Sequence, residues 1–172
     1  AAAKAGARVT LIAGPVALPT PAGVNRIDVE TAEQMAEAVM TALPCDIAIL
    51  VAAVADWRVD PSETKLKKSD GPPQLRFLPT RDILAELAGH AQRPRLLVGF
   101  AAETDDVIAN AVAKRAAKNA DWIVANDVSG GVMGGDRNQV HLITADGVES
   151  WPEAGKEQVA RTLIERIGQA LA

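Results

Sequence analysis

Short apolar runs alternate with helical patterns along most of this sequence, and this alternation restricts the fold more than any other feature. The runs that predict buried strands are residues 7–13, 46–53, 95–101 and 122–125. The segments that predict helices are residues 31–43, 82–91, 104–119 and 156–171. Strands that alternate with helices form βαβ units, whose strands lie parallel in one sheet. We therefore expect one three-layer α/β domain with a mostly parallel sheet.

The segments between these elements predict a hairpin, capping groups and loops. Two alternating runs, residues 140–144 and 148–151, flank an Ala-Asp-Gly turn and predict a C-terminal β-hairpin. Thr31 and Gln34 have the spacing of a capping box, and Thr80 is expected to cap the helix that follows it. Short strands are expected at residues 25–29 and 74–78. Irregular loops are expected at residues 14–23, 61–73 and 129–138.

Composition and charge exclude several classes of function. Aromatic residues are only 3% of the chain and the net charge is −4, so a base-stacking platform or a nucleic-acid surface is not expected. No apolar run approaches the roughly 18 residues of a membrane span. The single cysteine, Cys45, excludes an intrachain disulfide and suits a reducing compartment. We therefore expect a cytoplasmic protein that binds neither nucleic acid nor membrane.

Polar residues follow three of the predicted strands. Asp56 comes just after the apolar run 46–53, Glu103 follows Phe100, and Asn126 follows the strand that ends at residue 125. In open α/β sheets, ligands bind outside the carboxyl ends of the strands, so these side chains are expected to meet at one edge. Taken alone, Asp56 is also explained as a residue that caps a turn.

Two groups of lysines have the spacing that a phosphate-rich ligand requires. Lys65 and Lys67 share one side of an extended segment, with Lys68 next to them, because side chains alternate with a period of two. Lys114 and Lys118 lie four residues apart on a predicted helix and share a face. Lysine ammonium groups act as point charges on phosphates. Each group by itself is more often a solvated surface.

The common catalytic and nucleotide-binding signatures are absent. The sequence has no G-x-G-x-x-G fingerprint, no P-loop and no G-x-S-x-G elbow. His90 and His141 lie far apart in the sequence, so no metal-ligating residues are predicted. From the residues alone, the chain is predicted to be an α/β domain that binds a nucleotide or a phosphorylated metabolite.

Several motifs occur in a specific order along the chain. They are Ala-Ala-Val-Ala-Asp-Trp-Arg (52–58), Lys-Leu-Lys-Lys (65–68), Val-Gly-Phe-Ala-Ala-Glu-Thr (98–104), Lys114 with Lys118, and Ala-Asn-Asp-Val-Ser (125–129). Gly-Pro-Val (14–16) and Val-Glu-Thr-Ala-Glu-Gln-Met (29–35) fit the same pattern. Together they closely resemble bacterial phosphopantothenoylcysteine synthetases, also called phosphopantothenate–cysteine ligases, the C-terminal half of a bifunctional coenzyme A biosynthesis flavoprotein. The resemblance covers nearly the whole chain and implies a Rossmann-like fold.

The resemblance implies a CTP-dependent ligation in two steps. The carboxylate of 4′-phosphopantothenate attacks the α-phosphate of CTP, which gives an acyl-cytidylate and releases pyrophosphate. The amine of L-cysteine then displaces CMP and forms the amide. Mg²⁺ is expected to enter with CTP, because cations neutralise the charge that develops on phosphates.

The resemblance also implies which residues surround CTP. Lys65 is the implied catalytic residue and contacts the triphosphate. The other implied contacts are Ala52, Ala53, Asp56, Asp82, Ile83, Leu84, Phe100, Lys114, Lys118 and Asn126. Asp127 is implied to shape the same pocket edge as Asn126. Where the family usually has Asn-Pro-Asp-Ile, residues 80–83 read Thr-Arg-Asp-Ile, so the acid is retained and the proline is replaced by Arg81.

One departure concerns the N-terminus. Family members carry a Gly-rich stretch that supplies an arginine and an asparagine linked to the acyl-cytidylate, and this sequence begins after that point. The resemblance therefore implies that residues 1–172 form a single ligase domain without its Gly-rich motif and first strand. We expect this chain to bind CTP weakly and not to complete the ligation.

The family resemblance also implies partners. It implies a homodimer, and in the full-length protein a separate decarboxylase domain that binds FMN, which this chain is not expected to bind. Two alternatives stay open. A nicotinamide-dependent oxidoreductase of the Rossmann type would prefer NADP to CTP. A non-catalytic interaction module would keep its cellular function after a Lys65→Ala substitution.

Overall fold

The computed structural model describes residues 1–60, 64–128 and 137–172 of the chain. Its strands are β1 (Val9–Ala13), β2 (Val24–Asp28), β3 (Ile47–Leu50), β4 (Trp57–Val59), β5 (Phe77–Pro79), β6 (Leu96–Glu103), β7 (Trp122–Asp127), β8 (Arg137–Asn138), β9 (Val140–Ile143), β10 (Val148–Ser150) and β11 (Ala154–Gly155). Its α-helices are α1 (Ala32–Thr41), α2 (Ile83–Ala88), α3 (Val107–Lys118) and α4 (Lys156–Leu171). In these ranges, no helix combines the length and the apolar character that crossing a bilayer requires.

A five-stranded sheet forms the centre of the domain, in the spatial order β10-β9-β7-β6-β3. The strands β3, β6 and β7 are parallel, whereas β9 and β10 form an antiparallel hairpin that extends the sheet next to β7. The central strands are apolar along most of their length because both of their faces are covered. The predicted mostly parallel sheet and the C-terminal β-hairpin are therefore confirmed.

Within the described ranges, three two-stranded sheets lie outside the central sheet. The parallel strands β1 and β2 pair from Val9 with Val24 to Ala13 with Asp28. The antiparallel strands β4 and β5 form a ribbon, and β8 pairs with β11 just before α4. Among the described residues, β1 pairs only with β2, and β3 pairs only with β6. Each of β1 and β3 therefore has an unpaired edge.

Two apolar clusters cover the two faces of the central sheet. On one face, α1, α2 and α3 pack on side chains such as Leu97 and Ile123. On the other face, Leu163 and Ile167 of α4 pack on side chains such as Val98. Neighbouring side chains in β6 point to opposite faces because a strand has a period of two. The resulting order of helices, sheet and helix confirms the predicted three layers.

Element ends differ from the prediction at two places near the candidate site. The strand predicted over residues 46–53 ends at Leu50. The pairing of β3 with β6 stops there, at Leu50 with Gly99. The predicted cap Thr80 is wrong, because Asp82 is the N-cap of α2 and accepts a hydrogen bond from the Ala85 N–H at 3.1 Å. The capping box of Thr31 and Gln34 at the start of α1 is confirmed.

Other bounds shift by up to three residues: α2 ends at Ala88, α3 begins at Val107, and the strand expected over residues 74–78 is Phe77–Pro79. Further differences lie at the C-terminal side of β7. Asn126 and Asp127 belong to β7 itself, because they pair with Ala102 and Glu103 of β6. The loop predicted over residues 129–138 falls mostly on residues 129–136, and the predicted loop 61–73 includes residues 61–63. Both of these short stretches lie outside the described residues. Residues 137–138, which were expected in the loop, form β8.

Candidate functional site

The carboxyl ends of β3, β6 and β7 lie at one edge of the central sheet because the three strands are parallel. The pairing of β6 with β7 continues to its last residues, where Glu103 faces Asp127. The Val128 N–H then donates a hydrogen bond to the Glu103 carbonyl at 2.9 Å. Glu103 of β6 and Asn126 of β7, two of the polar residues expected at this edge, thus lie on paired ends of neighbouring strands.

Four of the predicted site residues come together where α2 and α3 meet β6. Asp82 of α2 forms an ion pair with Lys118 of α3. Lys114, one turn earlier in α3, donates a hydrogen bond from Nζ to the Phe100 carbonyl of β6 at 3.1 Å. We call Asp82, Lys114, Lys118 and the Phe100 carbonyl the Asp82 cluster. It places two ammonium groups and one carboxylate near Phe100 of β6, next to Gly99, which pairs with the last residue of β3.

The surroundings of Asp82 lower the pKa of its carboxyl group. Partial burial favours the neutral acid and would raise the pKa. The hydrogen bond from Lys118, the hydrogen bond from the Ala85 N–H and the positive charges of Lys118 and Lys114 act in the opposite direction and prevail. The Asp82 carboxylate is therefore ionised and bound to Lys118 at neutral pH.

We expect Asp82 to contribute to the acid sensitivity of the fold. A carboxyl whose folded pKa lies below its unfolded value, about 3.9, stabilises the fold above that value, and this contribution is lost as the pH falls through the folded pKa. Partly exposed ion pairs contribute about 0.2–1 kcal/mol. Asp82→Asn should therefore reduce the difference between the urea midpoints measured near neutral pH and near pH 3 by a corresponding amount.

Asp60, in a more exposed pair with Arg58, provides the control for this measurement. Asp60→Asn should leave the difference between the two midpoints at its wild-type value. An Asp82→Asn chain that shows the full wild-type difference would contradict the contribution of Asp82.

Ile83 and Leu84 do not present their side chains to the cluster. Both side chains are buried in the apolar layer between α2 and the sheet. Phe100 likewise packs its side chain into the apolar cluster on the α4 face, while its carbonyl accepts from Lys114. For these three residues, only backbone atoms are available to a ligand at the Asp82 cluster.

The segment after β3 approaches the cluster through Thr80. The Thr80 N–H donates to the Asp56 carbonyl at 2.9 Å, and the Thr80 hydroxyl donates to the Ala55 carbonyl. Since Thr80 lies two residues before Asp82, these bonds hold Asp56 near the start of α2. Ala52 and Ala53 are exposed in the same segment, beyond the end of β3.

Lys65 is exposed, and the structure does not join it to the Asp82 cluster. No ion pair connects Lys65 to another described residue. Asn126 is half-buried near the end of β7, at the same sheet edge as Phe100.

The described residues contain no group of three or more His, Cys, Asp or Glu side chains placed to hold a metal ion. Of the two histidines, His141 forms a hydrogen bond with Ser150, and its Nδ1 atom lies 2.8 Å from the Ser150 Oγ atom.

Arg81 has a role that the sequence analysis did not predict. Its guanidinium forms ion pairs with Glu33 of α1 at 3.0 Å and with Glu86 of α2, so it joins the two helices. The hydrogen bond from Arg81 is the main reason why the pKa of Glu86 lies below its ordinary value. The only signal in the sequence was the replacement of the family's proline by an arginine. The partner Glu33 lies 48 residues away, so no local pattern connects it with Arg81.

Comparisons with known proteins agree on one family. The family described as "DNA/pantothenate metabolism flavoprotein C-terminal domain" matches residues 1–171. The chain is 43% identical over 169 residues to the "Coenzyme A biosynthesis bifunctional protein CoaBC" of Haemophilus influenzae, and the match covers 96% of this chain and 42% of that protein. It is 42% identical over 173 residues to a "Cysteine/Cysteine sulfinic acid decarboxylase" from an unknown prokaryotic organism, which covers 97% of this chain and 48% of that protein.

A solved structure shares the fold over nearly the whole chain. The C-terminal domain of a coenzyme A biosynthesis bifunctional protein CoaBC superposes with a TM-score of 0.82 at 36% sequence identity. The match covers 99% of this chain and 78% of that one. The chain thus spans less than half the length of the two curated relatives but most of the solved domain.

Proposed function

Because the chain belongs to the family of DNA/pantothenate metabolism flavoprotein C-terminal domains, we propose that it is a phosphopantothenate–cysteine ligase domain. It takes CTP, 4′-phosphopantothenate and L-cysteine as substrates, as the family resemblance implies. The observation that carries the proposal is the Asp82 cluster, in which Lys114 and Lys118 lie together near Phe100 of β6, level with the carboxyl end of β3. That edge of a parallel sheet is where α/β domains bind nucleotides.

In the first step, a carboxylate oxygen of 4′-phosphopantothenate bonds to the α-phosphorus of CTP, and pyrophosphate leaves with the bonding electron pair. In the second, the cysteine nitrogen bonds to the acyl carbon, CMP leaves, and the amine loses a proton. The carboxylate needs this activation because an oxide ion is a poor leaving group. Ammonium groups lower the barrier of the first step by balancing the negative charge on the phosphates.

The residues of this chain divide these roles as follows. Lys114 and Lys118 bind phosphate oxygens, and the ion pair with Asp82 holds Lys118 in place while its remaining N–H groups face the ligand. Lys65 approaches the triphosphate from the exposed segment after β4. Ala52, Ala53 and Asp56 lie where the nucleoside would sit, beyond the end of β3, and Asn126 borders the site from β7. Mg²⁺ enters as part of the substrate, bound to the CTP phosphates, as this ion usually is in nucleotide sites.

We also propose that a further strand completes the sheet between β1 and β3. Both strands have unpaired edges among the described residues, and α1 packs against β1 as well as against α2. The Gly-rich motif that the family resemblance implies would follow this strand and contact the substrates. Full turnover of all three substrates by the 172-residue chain would contradict the requirement for that motif.

We propose a homodimer, as the family resemblance implies, with the β4–β5 ribbon as its contact surface. Trp57 and Val59 of β4 share one face of the ribbon with Phe77 of β5, and all three are exposed. A two-stranded ribbon is marginally stable alone, so this apolar face is expected to be covered. A sedimentation mass of a single chain at micromolar concentration would contradict the dimer.

FMN and the decarboxylation step are assigned to the part of the longer relatives that this chain does not match. The decarboxylase name of one relative fits this division, since the chain covers 48% of that protein. Flavin absorbance in the purified chain would contradict the assignment.

A thermal-shift titration tests the ligase proposal. The chain is titrated with Mg²⁺ and, in separate series, CTP, ATP, GTP, UTP or NADP. A ligand at about 100 times its Kd adds roughly 2.7 kcal/mol to the free energy of unfolding. For a domain of this size, about 2–4 °C per kcal/mol is expected, so a saturating ligand should raise Tm by several degrees.

The pattern of shifts separates the alternatives. We expect the largest shift with CTP. A shift with NADP alone would favour the oxidoreductase, and the absence of a shift with any nucleotide, in this chain and in one extended by the Gly-rich segment, would favour the non-catalytic module.

A further inference from the structure

Gly99 lies at a close contact between α2 and the central sheet. It is buried in β6, one residue before Phe100, and faces the layer of α1, α2 and α3. A Cβ atom placed on Gly99 would lie 2.8 Å from Cδ2 of Leu84 and 2.8 Å from Cδ1 of Ile123. Carbon atoms in contact are about 3.5–4.0 Å apart. The space of the missing side chain is therefore filled by these two methyl groups.

Both halves of the Asp82 cluster adjoin the contact at Gly99, one through Leu84 of α2 and the other through Phe100 of β6. Leu84 lies in the first turn of α2, two residues after Asp82, so a displacement of Leu84 moves the carboxylate that binds Lys118. Phe100, whose carbonyl accepts from Lys114, is the next residue in β6. The packing at Gly99 thus sets the distance between the start of α2 and the strand whose carboxyl end borders the cluster.

We propose that Gly99 is a positioning residue for the Asp82 cluster: its missing side chain lets the first turn of α2 lie directly on β6, which brings Asp82 to Lys118. The choice of CTP as the ligand of this cluster rests on the proposed function, whereas the positioning itself rests on the packing. A methyl group at this position pushes against buried side chains of α2 and β7. The two methyl groups are the ends of flexible side chains, but both side chains are buried and protein interiors have few voids, so we expect the added methyl group to displace the first turn of α2.

The added methyl group could act through Leu84 of α2 or through Ile123 of β7, and valine substitutions at these two positions distinguish the two cases. Valine at position 84 lacks both methyl groups of Leu84 that lie nearest to Gly99, and valine at position 123 lacks Cδ1 of Ile123. If Gly99 acts by letting α2 pack closely on β6, then Leu84→Val should restore the Asp82 cluster in a Gly99→Ala background. Ile123→Val relieves the contact with β7 instead and should not restore it.

The experiment measures two quantities in the 172-residue chain: the Kd for CTP with Mg²⁺, and the pKa of the Asp82 carboxyl by NMR titration. We expect Gly99→Ala to weaken CTP binding about tenfold, because misplaced binding groups lose much of their effect. We also expect it to raise the pKa of Asp82 towards its ordinary value. The double variant Gly99→Ala/Leu84→Val should have nearly the same Kd for CTP and the same pKa of Asp82 as the Leu84→Val single variant. The double variant Gly99→Ala/Ile123→Val should still differ in both quantities from the Ile123→Val single variant.

A stability control separates positioning from a general loss of folding. Ile167→Val removes one buried carbon on the opposite face of the sheet, in α4, and should change neither quantity at temperatures well below Tm. Wild-type values of both quantities in Gly99→Ala, or equal recovery with Ile123→Val and Leu84→Val, would overturn the proposal. If the pKa of Asp82 responds as expected but neither the wild-type chain nor one extended by the Gly-rich segment binds CTP, the positioning role holds and the ligase proposal fails.

Discussion

Replacing Lys65 by alanine should lower the rate of CTP-dependent ligation about 10²–10³-fold, the usual loss when one group that stabilises developing charge is removed. Lys65 is exposed and has no ion pair among the described residues, so its ammonium group is available to a polyphosphate. For the same reason its removal should leave Tm nearly unchanged, because exposed substitutions stay within about 0.5 kcal/mol. The rate is measured as pyrophosphate release in a chain extended by the Gly-rich segment.

Lys67→Ala is the matched control for Lys65→Ala. Lys67 lies two residues further along the same segment, is equally charged and is also exposed. If the loss reflects a specific contact with the triphosphate, Lys67→Ala should reduce the rate much less than Lys65→Ala does. Equal losses in the two variants would show that only the summed charge of the segment matters, and would contradict a catalytic role for Lys65.

Replacing Leu97 by alanine should have the largest effect on stability. The Leu97 side chain is fully buried near the start of β6, between the sheet and the layer of α1, α2 and α3. Leucine-to-alanine changes at such sites cost about 2–5 kcal/mol, because apolar contacts are lost and a cavity remains. At about 2–4 °C per kcal/mol, we expect Tm to fall by roughly 10 °C. Calorimetric or urea unfolding measures the change.

Leu18→Ala is the control for this substitution, because Leu18 is 71% exposed in the loop between β1 and β2. It should change the free energy of unfolding by no more than about 0.5 kcal/mol. Similar losses in Leu97→Ala and Leu18→Ala would contradict the assignment of Leu97 to the core.

The accuracy of the sequence predictions depended on how local the determining interactions are. The predicted bounds of α4, residues 156–171, agree with the structure because its apolar stripe repeats within the helix itself. The end of β3 was placed three residues too late, since Val51, Ala52 and Ala53 are apolar but have no strand partner. Apolar composition favours a strand, whereas pairing with a neighbouring strand determines where it ends.

The choice of helix cap illustrates the same point. Thr80 and Asp82 both have side chains that can cap a helix, and the local sequence does not distinguish them. In the structure the Thr80 hydroxyl donates to the Ala55 carbonyl, 25 residues earlier in the chain, and Asp82 caps α2 instead. A tertiary hydrogen bond therefore selected between two equally suitable caps.

The sequence by itself determined the order of the elements, the class of the fold and the sheet edge at which the polar residues gather. Each of these follows from periodicity along the chain and from the parallel direction of successive strands. Tertiary structure alone decided that Asp82 binds Lys118, that Arg81 joins two helices, and that Gly99 faces the methyl groups of Leu84 and Ile123. Asp82 and Lys118 are 36 residues apart. No local pattern records such a pair, because the contact exists only after the helices pack on the sheet.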